Sequence, residues 1–573
     1  MIFPHIVFLS SFFFYLYFYL KNINYIIYPL YLFLPFIYCF LIVFSYLDKI
    51  NNKHKFLDSF KDYQKNLYVF ILFILTPFFI RLNLPDPHNF IQRKLEIMLG
   101  AVYITFIVIC TIKLFLKFYL QQELTDENKL FKNIVIYFFV FYFAVSLWFN
   151  YANQPTGDEP EYLLMAHSLV YDRDIDLKNN FEKKDYQIFY KNKELKPQDA
   201  AVKKDNKLYS YHPFMISLLI SPFYLIGKRL GATIFLNFLA ALLSGIIFLL
   251  SNKIYKDIKL GILISIISGF SMPLLIHINH VATDVTSGLF LTFSYYILFF
   301  LPQQYILFST TLALSIWLHL RNIPVAFIIF LLFVFFNRKQ NKIILTVIFL
   351  QLMNIIILLF VNKMIYGDLL PKHADAGNNF LGGFNFNIIK GFSGIFFDQE
   401  FGLFFYTPVF FLLPAGFFFL YKIRRDIFYS LIFIFVPFLL FISSWGEWRG
   451  GGGASARFFI PIIFCLCIPI GAIFYYCKDK KNYLLKILTG MGFILSYIML
   501  LVPWFRWNKG EGYNWILKII SSFINIDIYK FFPSIWCFHE YTIFSLFFWG
   551  IFFVFINFYI IFNTLTIKKN NIK

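Results

Sequence analysis

The chain has 573 residues, 59% hydrophobic and only 14% charged, against about 25% charged in soluble domains, and its mean hydropathy of +0.67 excludes an ordinary soluble globular protein. The net charge of +20 does not read as nucleic-acid binding, because Lys and Arg sit in short clusters between apolar runs and form no continuous basic face. Six cysteines, Cys39, Cys110, Cys465, Cys467, Cys477 and Cys537, have neither zinc-site spacing nor the density of a disulfide framework.

Apolar runs of roughly 16 to 22 residues, the length that hydrocarbon thickness imposes on a spanning helix, recur along the chain. They predict an all-α polytopic membrane protein with about 16 transmembrane helices: 5–20, 25–46, 67–80, 97–116, 133–150, 231–250, 260–278, 285–300, 304–319, 323–337, 343–362, 401–420, 427–444, 458–476, 484–503 and 541–562. The opening MIFPHIVFLS has no basic segment and no small-residue cleavage site, so the first run reads as a retained span. The first four spans, within 1–130, form an N-terminal extension with few concentrated polar residues; 131–573 is the main membrane domain. The run 212–227 holds Pro213 and Pro222 and ends in Gly227-Lys228-Arg229, and is assigned to the membrane interface.

With the N-terminus inside, every cytoplasmic connection is basic, for example Lys253, Lys256 and Lys259 in 251–259, or Lys422, Arg424 and Arg425 in 422–425. If 212–227 crossed, five of the basic clusters would face outward. The chosen register places both termini in the cytoplasm and puts 151–211, 363–400, 445–457 and 504–540 outside, the first of them long enough to fold as a small cap.

Chemistry-bearing residues concentrate in those outer segments. In GDEPEYLLMAH, Pro160 suits the first turn of a helix and Glu159 approximates its cap, while Asp158 lies just before it. A carboxylate there is near free backbone N–H groups and can accept a hydroxyl proton or ligate a cation; the plainer reading has Asp158, Glu159 and Glu161 capping and solubilising an amphipathic helix. His277, His280 and Asp284 follow in LLIHINHVATD, with His280 and Asp284 four apart; they are weak metal candidates, because no full ligand set follows from the spacing. WLHLRNIP carries His319 and Arg321, which also suit an interfacial anchor and a snorkelling cation. Lys372 lies in the next outer loop, followed by Asp398 and Glu400 in FFDQEFG. WGEWRGGGGASAR supplies Trp445, Glu447, Arg449 and Arg457 around four glycines that permit close approach of a phosphate, or flexible packing; it lacks the ending of a nucleotide P-loop. WFRWNKGEGYN adds Arg506, able to reach an anion.

The order of these motifs resembles the GT-C superfamily of polytopic glycosyltransferases, in particular the bacterial branch similar to protein O-mannosyltransferases and lipid A aminoarabinose transferases. The resemblance rests on G-D-E-P-x-Y at 157–162, His212-Pro213 in YSYHPF, Asp284, W-L-H-L-R-N at 317–322, F-D-x-E-F-G at 397–402 and W-G-x-W…A-R-F ending at 458, and spans 133–562. It implies a GT-C-like fold and transfer of a sugar from a polyprenyl-phosphate donor to a hydroxyl of an envelope lipid, glycan or protein, on the outer face of a bacterial inner membrane. It makes Asp158 the catalytic base, with Glu159 beside it and Asp284 supporting the acceptor or a metal. Arg321, Arg449, Arg457, His319 and Lys372 become donor-phosphate contacts, and Glu161, His212, Asp398, Glu400 and Trp445 position substrate. A divalent cation is compatible with this scheme and no nucleotide cofactor is expected; membrane lipids are partners and nucleic acid is not. Four spans precede the familiar start of the family, and Glu161 stands where many bacterial relatives carry histidine. A transporter or flippase, or a polysaccharide polymerase or ligase, is the alternative; few ionisable groups lie in the mid-spans, as an alternating-access pathway would need.

Overall fold

The computed structural model describes residues 126–573, apart from 192–193, 199–201, 370–383, 386, 478–482 and 571–573, and a few helical positions between 100 and 111. The chain divides into two compact units, Met1–Gln121 and Gln122–Lys573. Three of the sixteen expected spans, 5–20, 25–46 and 67–80, lie wholly outside the described residues; 97–116 and the N-terminal extension 1–130 lie largely outside them, and Lys372 is likewise outside.

The second unit is α-helical, with seven helical stretches among the described residues long and apolar enough to cross a membrane and six shorter apolar helices. It begins with α1 (Glu127–Ala152), started by Asp126, whose carboxylate accepts from the Asn128 and Lys129 backbone N–H groups. Next comes the 151–211 segment: α2 (Glu159–Tyr171), α3 (Lys178–Glu182) and a hairpin of β1 (Val202–Lys204) with β2 (Lys207–Tyr209). The hairpin, a small departure from an all-α chain, turns on Asp205 and Asn206, both at positive φ (49° and 63°), the turn that matches strand twist.

The next helix, α4 (Met215–Tyr255), is two helices joined at Gly227 and Lys228, where φ reaches 50°. The 215–226 part folds back on the longer 229–255 part. A Cβ on Gly231 would lie 2.0 Å from the Phe223 carbonyl oxygen, and the Phe223 and Phe235 rings stack at 4.1 Å. Its outer side is apolar and open, with Ile226 86% exposed. Thus 212–227 is no continuation of the following span.

The expected span 260–278 is broken: α5 (Ile258–Gly269) ends at glycine, and after Pro273 a single turn, α6 (Leu274–His277), resumes. Then follow α7 (Asp284–Phe300), α8 (Tyr305–Leu318), α9 (Ile323–Phe336) and α10 (Asn341–Tyr366), close to their expected limits. The 388–397 stretch forms α11 (Ile388–Phe397), an amphipathic helix that hydropathy alone left in a loop. Expected span 401–420 is also interrupted, running as α12 (Leu403–Tyr406), a 3₁₀ stretch from Pro408 and α13 (Leu413–Ile423), because Pro408 and Pro414 lack the N–H that a continuous helix needs. The chain closes with α14 (Arg425–Ser443), α15 (Ile463–Tyr476), α16 (Tyr483–Leu501), the amphipathic α17 (Trp515–Ile524) and α18 (Thr542–Asn570). Burial separates centre from periphery: 457–476 is largely enclosed, whereas few residues of α10 and α18 are buried. Phe544, Phe547, Phe558 and Phe562 lie open along α18, a surface suited to lipid rather than water.

Candidate active site

Loops at the helix ends meet around one cavity of about 410 Å³. Five separated stretches build it: Gly157, Asp158 and Tyr162; Tyr211, His212 and Pro213; His280 to Asp284; His319 to Arg321; and 441–458, with Trp507 added from the last loop. The cavity therefore gathers Asp158, Asp284, Arg321, Arg449, Arg457, His319, His212, Trp445 and His280, nine of the side chains singled out in the sequence.

Its charge is balanced, three guanidinium groups against Asp158, Asp284 and Glu447, but the three acids differ in access. The Asp284 side chain is 2% exposed; Arg321 Nη2 donates to its Oδ1, and Arg457 Nε lies 3.8 Å from its Oδ2. The Asp158 side chain is 32% exposed, with His212 Nε2 3.6 Å from Oδ1 and Arg457 Nη2 3.8 Å from Oδ2. Both separations exceed a hydrogen bond. Asp158 is held electrostatically while its lone pairs remain open to a hydroxyl donor. The Nε atoms of Arg321 and Arg457 are buried and make no hydrogen bond to the protein, while the two guanidinium groups line the cavity, a wall suited to an oxyanion. Phe458 lies under the Arg321 guanidinium at 4.6 Å and fixes its plane.

Arg449 forms the opposite edge, donating from Nε to Glu447 at 3.0 Å and stacking on Trp536 at 3.6 Å. Between Arg449 and Arg457 the backbone takes φ of +74° at Gly450 and +75° at Gly451, and a Cβ on Gly451 would meet nothing within 4 Å, so the glycine wall is open to a ligand. His319 Nδ1 accepts from the Arg321 N–H at 3.2 Å and orients that turn. Trp445 packs edge-on against Phe384 at 4.8 Å.

Glu159, Glu161, Asp398 and Glu400 do not line the cavity. Asp158, not Glu159, is the cap residue of α2. Glu159 is fully buried and accepts from Arg229 Nε at 2.8 Å. Glu161 accepts from Ser210 Oγ and from the Gln198 N–H, and Ser210 Oγ accepts from the His212 N–H at 3.2 Å, so Glu161 reaches the cavity only by fixing the His212 loop. Asp398 accepts four backbone N–H groups, of Glu400, Phe401, Ile535 and Trp536, and Glu400 accepts from Gly512 N–H at 2.8 Å. These two acids organise the loops that carry Trp507 and Trp536.

Tyr162, Tyr211 and Trp507 line the cavity without having been site candidates, and Glu447, named in the sequence without a role, lines it too. Tyr162 had a signal, being four residues after Asp158 and so on its face of the helix. Tyr211 and Tyr162 sandwich the His212 ring at centroid distances of 4.0 and 4.9 Å.

Among the described residues no group of three or more His, Cys, Asp or Glu side chains is arranged to hold a metal ion. Of the metal candidates, Asp284 directs its oxygens at arginines, His280 Nε2 lies 3.4 Å from the Thr156 carbonyl, and the His277 and His280 ring centroids are 6.2 Å apart. Burial, reinforced by Arg457, pulls the His280 imidazole well below its ordinary value. His280 Nδ1 is buried without a hydrogen-bond partner, but among the described residues no third ligand accompanies it.

These elements define an all-α, multi-helix membrane protein with a polar, arginine-rich cavity where its helix ends meet. No protein-family model, curated protein or solved structure matches the chain.

Proposed function

We propose that this protein is a GT-C-like glycosyltransferase that moves a sugar from a polyprenyl-phosphate-linked donor to a hydroxyl of an envelope lipid, glycan or protein, on the extracytoplasmic face of a bacterial inner membrane. The observation that carries the reading is the pairing, within one cavity, of an accessible carboxylate, Asp158, with the guanidinium groups of Arg321 and Arg457. Displacement at an anomeric carbon needs those two functions together: a base for the attacking hydroxyl and a positive wall for the departing phosphate.

Asp158 takes the acceptor proton as the hydroxyl oxygen forms its bond to the anomeric carbon. The bond from that carbon to the phosphate oxygen breaks, and its electron pair leaves on the lipid phosphate, which Arg321, Arg457 and Arg449 stabilise. One displacement inverts the anomeric centre. Asp284 keeps Arg321 and Arg457 extended toward the leaving group, and Trp445 offers an apolar face to the sugar ring.

The test is to incubate the purified full chain with a panel of polyprenyl-phosphate sugars and envelope acceptors and follow transferred sugar by mass. Consumption of one carrier-linked sugar with matching gain of mass on an acceptor supports the proposal. Solute movement coupled to an ion gradient, with no lipid-linked sugar consumed, overturns it in favour of a transporter.

A further inference from the structure

Joined to the glycine wall of the cavity through the backbone is a second, largely buried polar cluster that the proposed reaction does not use. Arg506 is its centre. The residue is 2% exposed, and its guanidinium lies 5.0 Å from the Phe149 ring and 5.3 Å from that of Trp507. Of its side-chain nitrogens, Nη1 donates to Asn279 Oδ1 at 2.7 Å, while Nε and Nη2 are buried and meet no protein acceptor. Burial, opposed by the Glu159 charge and reinforced by Arg229, pulls the guanidinium down to about 10, which leaves it charged at neutral pH.

The neighbouring groups repeat the imbalance. Arg229 gives Nε to Glu159 and Nη1 to the Asn153 carbonyl at 2.5 Å, but its Nη2 meets no acceptor, nor do the side-chain amides of Asn153 and Asn279. Glu159 is the carboxylate whose field reaches Arg506, and it is already paired with Arg229. Two guanidinium groups thus face one carboxylate; Glu159 Oε2 is itself buried without a hydrogen-bond partner, yet against the unpaired nitrogens of Arg506, Arg229, Asn153 and Asn279 the cluster keeps one surplus positive charge and more donors than acceptors. Water can satisfy spare donors, but it cannot neutralise a buried charge, whose isolation from any counter-charge is costly.

We infer that this cluster is a binding site for a small monovalent anion of the halide class, held at the unpaired Nε and Nη2 groups of Arg506. The enclosure, with Asn279, Arg506 and Arg229 at 0%, 2% and 8% exposed, suits an atom-sized ligand and not a lipid phosphate. The site is tied to the cavity through the backbone. Ala454 N–H donates to the Arg506 carbonyl at 2.9 Å and Asn508 N–H to the Gly452 carbonyl at 2.8 Å. A bound anion therefore fixes the strand of backbone that shapes the glycine wall.

The inference is independent of the sugar-transfer reading and is tested without substrate. Thermal unfolding of the detergent-purified full chain is followed as chloride or bromide replaces gluconate at constant ionic strength. The midpoint should climb by several degrees and level off at saturation, with bromide substituting for chloride. Arg506→Gln should abolish the dependence. Asn279→Asp, which places a permanent carboxylate where Arg506 already donates, should remove it as well while keeping the charge answered, and so reports even if Arg506→Gln fails to fold. Arg457→Gln should retain it. Equal midpoints in halide and gluconate overturn the site, as does a halide effect that survives in Asn279→Asp but disappears in Arg457→Gln, which would place the anion in the cavity.

Discussion

Asp158 and Asp284 share Arg457, yet their surroundings assign them different work. Asp284 is enclosed between two arginines, so Asp284→Asn leaves buried positive charge unanswered and should lower stability by about 3–5 kcal/mol, the usual cost of removing one partner of a buried pair. Asp158→Asn, at a site one-third exposed, should unfold close to wild type. Calorimetry on the two purified variants makes the comparison; equal losses would contradict it. Glu400 gives a pH signature. Burial and the Asp398 charge push it up to about 7 from an ordinary 4.5, so the folded state holds its proton more tightly than the unfolded one. That stabilisation is complete below the unfolded value and is lost as pH rises through about 7. Glu400→Gln has no proton to lose, so its midpoint relative to wild type should improve between pH 5 and pH 8; a constant difference would contradict the shift. Within GDEPEY, the sequence alone could not apportion the three acids. Asp158 and Tyr162, four apart, face the cavity, whereas Glu159 faces Arg229, seventy residues away, a pairing that no local spacing reveals.

At the scale of elements, the fold-back of 215–226 positions His212 and Pro213 at the cavity wall. The reversal depends on a bare backbone at Gly231, where a Cβ would lie 2.0 Å from the Phe223 carbonyl, in contrast to Gly227, where it would meet nothing within 4 Å. Gly231→Ala should therefore destabilise by roughly 1–3 kcal/mol or more, as overpacking does, while Gly227→Ala at φ −132° should be nearly silent; thermal shifts measure both, and equal effects would contradict the hinge. Pro213, Pro222 and Gly227-Lys228-Arg229 made this segment legible as something other than a straight span. The breaks in 260–278 and 401–420 were missed because hydropathy counts apolar content and is blind to which N–H groups a proline removes. The hairpin at Asp205-Asn206 was missed as well, because a three-residue strand pair is too short for an alternating pattern to register. The amphipathic helices α11 and α17 lay in segments set aside as loops, their apolar faces too short to register as spans.

For the whole molecule, long apolar helices with exposed phenylalanines follow directly from composition, and the gathering of distant motifs in one cavity follows from their shared position at helix ends. Sidedness rests on the basic connectors. Single-cysteine labelling in a background cleared of native cysteines should find 151–211 and 445–457 accessible from outside and 251–259 and 422–425 only from inside; outside labelling of 251–259 in intact cells would invert the arrangement. The central claim, that the cavity transfers a lipid-linked sugar with Asp158 as base, is tested most directly by turnover of Asp158→Asn on the donor and acceptor pair that wild type uses. Asn keeps the size of the side chain but cannot take the hydroxyl proton. The variant should fold and bind donor while transfer falls at least ~100-fold. Near-normal turnover by the folded variant would contradict the account.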